Sequence, residues 1–102
     1  MIKTIMALVA GALLAAPAAA QSQDYVQSGG GSWRAEENAH GAVLRRGGAT
    51  LYLGRSCDAW SPRWGRGRWG YANGGWLVAF PGRRIGFPRQ EPPVRGTRCD
   101  VP

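Results

Sequence analysis

The sequence predicts an all-β domain, a small antiparallel meander or compact barrel of five or six strands closed by one disulfide. Three observations predict it. Turn signals at Gly47-Gly48, Asn73-Gly74 and Pro81-Gly82 separate short runs in which large apolar residues alternate. No window after residue 20 carries a helical period. Two cysteines, Cys57 and Cys99, stand far apart in a chain of 102 residues.

The elements follow in order. Residues 1–20 have the layout of a secretory signal peptide. Lys3 gives a positive start, Ile5 to Leu14 an apolar run, and Ala18-Ala19-Ala20 a cleavage site before Gln21. The run is too short and too Ala-rich for a membrane anchor. No later stretch reaches the eighteen or so apolar residues of a transmembrane segment. No cysteine stands immediately after the cleavage point, where Gln21 is found, so lipid attachment is not expected. The mature chain is therefore expected in the periplasm or secreted, and the Ala-rich leader is bacterial in style.

Residues 21–32 are polar and end in Ser28-Gly29-Gly30-Gly31, which reads as a flexible N-terminal segment. A single β-domain is expected over 33–102. Gly47-Gly48 separates Ala42–Arg46 from Ala49–Leu53. Asn73-Gly74 separates Arg68–Ala72 from Trp76–Phe80, and Pro81-Gly82 separates that run from Arg83–Phe87. Asn-Gly suits a hairpin whose two central residues both need positive φ, and Pro-Gly suits a type I or II turn. Residues 68–87 should thus form a three-stranded meander. Alternation puts Trp69 with Tyr71, Trp76 with Val78 and Phe80, Ile85 with Phe87, and Leu51 with Leu53 on shared faces. Trp33 and Leu44 complete the expected core. Glu91-Pro92-Pro93 ends strand structure, and the tail returns to bring Cys99 to Cys57.

In an oxidising compartment two cysteines most simply form one bridge. A loop of about 43 residues would be stabilised by roughly 4 kcal/mol on the chain-entropy estimate. The spacing is unlike the Cys-x-x-Cys of redox proteins. Two cysteines and the lone His40 are too few for zinc, so neither metal nor cofactor is expected.

Charge sets the class of partner. Apart from Lys3, the basic residues are twelve arginines, set against six acids, so the mature chain carries about +6. That attracts anionic envelope polymers, lipid headgroups, nucleic acid or an acidic protein surface. Export makes nucleic acid the weak choice. A GC-rich genome also favours Arg over Lys, and such a charge keeps a small domain soluble.

The segment Arg55–Trp69 interleaves four arginines and three tryptophans with glycine. Indole faces stack on sugars, and guanidinium groups pair with phosphate or carboxylate. Arg55, Trp60, Arg63, Trp64, Arg66 and Arg68 are therefore the candidate binding residues. The opposing reading makes Trp60 and Trp64 a plug for the sheet's open end, with arginines stacked on them. His40 reads as a solvated turn residue, and Asp58 as a turn cap or a partner of Arg55 or Arg63. Glu36 and Glu37 point to opposite faces, as do Arg83 and Arg84, which argues against a concentrated anion clamp.

No nucleophile–base pair, phosphate loop or metal cluster is visible, so no catalytic residue is expected. Size, export signal, antiparallel pattern and disulfide are similar in outline to small periplasmic lysozyme inhibitors. No motif carries over residue by residue, and a basic chain would be repelled by a basic lysozyme. The sequence thus points to a small, non-enzymatic, exported envelope module that binds an anionic component. The alternative is an inhibitor of an envelope-active hydrolase such as a lysozyme.

Overall fold

A computed structural model describes residues 22–101. The signal peptide expected over residues 1–20 and the cleavage expected before Gln21 lie outside the described residues. Eight strands follow one another: β1 Ser22–Val26, β2 Ser32–Asn38, β3 Gly41–Arg46, β4 Ala49–Gly54, β5 Asp58–Ser61, β6 Gly65–Ala72, β7 Gly75–Phe80 and β8 Arg83–Phe87. Each pairs antiparallel with the next in a single sheet. The sheet curls into a half-barrel.

The count is eight rather than five or six. The two strands not anticipated have physical reasons for escaping notice. β1 lies in the stretch expected to be flexible, yet it pairs with β2 from Ser22↔Glu36 to Val26↔Ser32. Tyr25 is its one buried residue, so it shows no apolar period. Gly29, Gly30 and Gly31 all have positive φ and form a turn. Gln27 N–H donates to the Gly31 carbonyl across it at 3.0 Å. β5 has only four residues and buries the small side chains of Ala59 and Ser61 while Trp60 points out. Its large residue marks the wrong face for a core pattern.

The 68–87 meander is present as expected. Trp69 faces Val78 across β6–β7, and Val78 faces Ile85 across β7–β8. Asn73 (φ 47°) and Gly74 (φ 81°) are both left-handed, as a type I′ turn requires. The anticipated alternation also holds. Trp33, Leu44, Leu51, Leu53, Trp69 and the β7–β8 set are buried inside, whereas Tyr71 stays partly exposed. Tyr25, Val94 and several alanines join them.

Aromatic packing explains the curl. Trp76 stacks on Phe87 with centroids 4.1 Å apart, and Tyr25 of β1 meets Trp76 edge-on at 5.5 Å. The first strand thereby reaches the last two. Such pairs add about 0.5–1.5 kcal/mol beyond the area they bury. Trp33 Nε1–H donates to Gln27 Oε1 and Trp69 Nε1–H to the Gly54 carbonyl, while Trp76 Nε1–H is buried with no hydrogen-bond acceptor among the described residues.

No ladder joins β1 to β8. Instead the Gln90 side-chain amide accepts from Val26 N–H at 2.8 Å and donates to the Val26 carbonyl at 2.6 Å. Ser28 N–H donates to the Gly86 carbonyl at 2.7 Å. One side chain thus stands in for a rung of the missing ladder, satisfying edge groups that would otherwise be left to water.

A meander alternates its turns between two ends. Residues 27–31, Gly47-Gly48, 62–64 and Pro81-Gly82 gather at one end; residues 39–40, 55–57 and Asn73-Gly74 gather at the other. The tail covers that second end. Pro92, Pro93 and Val94 are buried there, and Cys99 bonds Cys57 with Cα atoms 5.5 Å apart. Tyr71 N–H donates to the Cys99 carbonyl at 2.6 Å, and Trp69 N–H to the Cys57 carbonyl at 3.1 Å. The second end is sealed; the first is open.

Candidate functional site at the open end

The open end is organised by Trp64. Pro62 starts the β5–β6 turn, and the buried Ser61 hydroxyl accepts from Arg63 N–H at 3.1 Å, fixing its path. The Trp64 ring then lies half-buried over Phe80, with centroids 5.7 Å apart. Arg83 places its guanidinium 4.9 Å from the indole centroid, and Arg63 places its own at 5.7 Å. Arg46 has the inward parity of Leu44 but sits at the rim, its guanidinium against the backbone of Gly31. Trp33, Ala49 and Trp64 with Arg46, Arg63 and Arg83 bound a depression of about 340 Å³. That is the lower range of small-ligand sites.

No acid lines this depression. Arg45, Arg66 and Arg84 stand just behind it on the outer face, so six of the twelve arginines cluster at one end. The acids lie elsewhere. Asp24 and Glu36 sit within β1 and β2, and Asp24 pairs with Arg34 at 3.6 Å. Glu37, Asp58, Glu91 and Asp100 lie toward the sealed end.

At that sealed end Arg55, Arg95 and Arg98 are engaged by the protein itself. Glu37 meets Arg55 at 3.7 Å and Arg95 at 3.5 Å, and accepts the Arg95 backbone N–H at 3.1 Å. Arg55 donates to the carbonyls of Ala39 (3.1 Å), Asn38 (3.3 Å) and Arg95 (2.8 Å). Arg98 lies 4.4 Å from the Tyr71 centroid and 3.4 Å from Asp100. Tyr71 donates to Glu91 at 3.3 Å; burial, then that carboxylate, raise its hydroxyl above the usual range. Burial likewise raises Tyr25, with Arg95 opposing.

The six residues singled out from sequence do not form one site. Arg63 and Trp64 meet at the open end. Trp60 stands on the outer face, 46% exposed, directly across from Arg66. Arg68 lies further along that face, across from Asp58. Arg55 belongs to the sealed end, where it ties the β2–β3 turn to the tail. The plug reading describes Trp64 and not Trp60. Asp58 makes no ion pair with Arg55 or Arg63 among the described residues; its carboxylate lies against the Gly54 backbone. His40 is an exposed turn residue whose N–H donates to Asn38 Oδ1.

Arg46, Arg83 and Trp33 are not among the candidate binding residues, Trp33 being expected in the core and Arg83 set aside with Arg84. Arg83 and Arg84 do diverge, but Arg83 alone suffices to join Arg46 and Arg63. The signal was the order of turns. Arg46 precedes one open-end turn, Arg63 lies in the next, and Arg83 follows a third.

Among the described residues no three His, Cys, Asp or Glu side chains gather as a metal site, and no helix is long and apolar enough to cross a membrane. Compared with known proteins, the chain matches no family model, no curated protein and no solved structure.

Proposed function

We propose that this protein is an exported, non-enzymatic binding module that holds a phosphate-bearing component of the cell envelope at its open end. One observation carries the reading: Arg46, Arg63 and Arg83 surround a half-buried indole with no carboxylate in the depression they bound. Like charges gathered without counterions repel one another. A ligand phosphate relieves that repulsion and takes paired N–H donors from each guanidinium. Trp64 lines the same depression and adds apolar wall area for the sugar or acyl part of the same ligand. The disulfide is compatible with an oxidising compartment.

Titration against phosphate-bearing lipopolysaccharide and against anionic and uncharged vesicles, at about 0.02 M and about 0.3 M salt, tests this. The expected result is binding to the anionic surfaces alone, weakened at least tenfold by salt. Arg63→Glu combined with Arg83→Glu should abolish it while leaving the circular dichroism spectrum unchanged. Binding that ignores salt, or survives both reversals, removes the reading.

A further inference from the structure

We infer that the outer face carries a second, separate site, built on Tyr52 and Trp60, that takes an uncharged saccharide. The two residues are direct cross-strand partners on β4 and β5. Their rings stand 5.5 Å apart, tilted by 39°. Tyr52 is 40% exposed and Trp60 46%, whereas Trp33, Trp69 and Trp76 are buried inside the curl. Val43 is the next residue in the same row, across from Tyr52. Together they border a depression of about 390 Å³ whose remaining walls include Asn38, His40 and Asp58.

The chemistry of the walls selects the ligand. A pyranose presents one face of C–H groups and an edge of hydroxyls. The C–H face suits the indole and phenol rings, which lose water to it without needing charge. The hydroxyl edge needs convergent acceptors and donors. Asp58 has no hydrogen-bond partner or ion pair among the described residues, so both its oxygens can accept. Asn38 uses its carbonyl oxygen on His40 N–H at 2.8 Å, which leaves its amide N–H groups free to donate. The His40 ring is exposed beside them. A few placed polar groups around an apolar floor are the usual composition of a small-molecule site.

Charge does not select this ligand: no arginine lines the depression and Asp58 does, while Arg66 and Arg68 stand across from Trp60 and Asp58 on β6. This site thus differs in character from the open end and stands independently of the reading given to that end. Its apolar width is two rings and a valine, which matches a sugar face rather than a partner protein's surface.

The test is titration of the full mature protein with N-acetylglucosamine tetramer and with cellotetraose, followed by the indole N–H resonances. Trp60→Phe assigns the Trp60 signal. The expected result is a saturating shift of that signal with at least one of the two tetramers, equal at low and high salt. The shift should persist in the Arg63→Glu, Arg83→Glu double variant. Trp60→Ala and, separately, Tyr52→Ala should each weaken saccharide binding at least tenfold, read from the remaining resonances. Both rings are substantially exposed, so both variants should fold. No shift with either sugar up to about 10 mM, a response that fades with salt, or binding that survives Trp60→Ala overturns the proposal.

Discussion

At the sealed end Arg55, Arg95 and Arg98 each meet a carboxylate within 4 Å, and Arg55 also satisfies three backbone carbonyls. At the open end Arg46, Arg63 and Arg83 meet indole and backbone, and no carboxylate stands among them. The residue type is the same and the use is opposite. One end employs guanidinium groups as fasteners between turn and tail. The other leaves them unneutralised, a repulsion that a bound anion, as proposed above, would relieve.

The comparison breaks most easily at the disulfide. Converting both Cys57 and Cys99 to Ser should cost about 4 kcal/mol, because the loop it closes spans 42 positions. For a domain of this size that lowers the melting temperature by about 15–30 °C. Below the new midpoint, anion binding at the open end should remain, since the Trp64 turn makes no use of the tail. Calorimetric melting checks the first point and titration the second. A midpoint lowered by less than about 5 °C would mean that Arg55, Glu37 and the buried Pro92–Val94 hold the tail without the bridge.

A smaller effect is expected at the β6–β7 turn, also on the sealed side. Gly74 has φ 81°, with nothing within 4 Å of where a Cβ would stand. Space is therefore not the obstacle, and conformation alone decides. Gly74→Val should cost about 2 kcal/mol, near the middle of the range for a β-branched residue held left-handed. Chemical denaturation would measure it. A variant as stable as the parent would require a different register for Tyr71↔Trp76.

These turns were also the most legible part of the chain. Asn73-Gly74 and Pro81-Gly82 carry their geometry in their residue types, and the strands between them alternate large apolar side chains. The core of the 68–87 meander could therefore be read directly. β1 and β5 could not. Tyr25 is a single buried ring in five residues, and β5 buries alanine and serine while displaying Trp60. A pattern rule senses large residues on one face, and these strands hold too few or present them outward. The candidate site failed to read for a different reason. Arg46, Arg63 and Arg83 are separated along the sequence, and only the alternation of meander ends brings them to Trp64. Counting turns, odd to one end and even to the other, finds them only once β5 is known, because omitting that strand swaps the ends of every later turn. Nothing local would have shown that Arg55 is bound to Ala39, Arg95 and Glu37, because those contacts need the tail to fold back.

The smallest stability effect is the one that most sharpens the contrast between the ends. Arg83 lies over the Trp64 ring at 4.9 Å, a contact worth about 0.5–1 kcal/mol at an exposed site. Against it stand Arg46 and Arg63, unneutralised on the same rim. At an effective dielectric of about 80, unit charges several ångströms apart repel by several tenths of a kcal/mol each. The two effects nearly cancel, so Arg83→Gln should leave the unfolding free energy within about 0.5 kcal/mol of the parent. Raising salt should then stabilise the parent more than the variant, because only the parent has that repulsion to screen. Equilibrium denaturation at two ionic strengths reads both quantities. If Arg83→Gln instead costs well over 1 kcal/mol at either salt, the guanidinium is fastening Trp64 down just as Arg55 fastens the tail. The open end would then be a second seal, and its arginines would need no ligand to explain them.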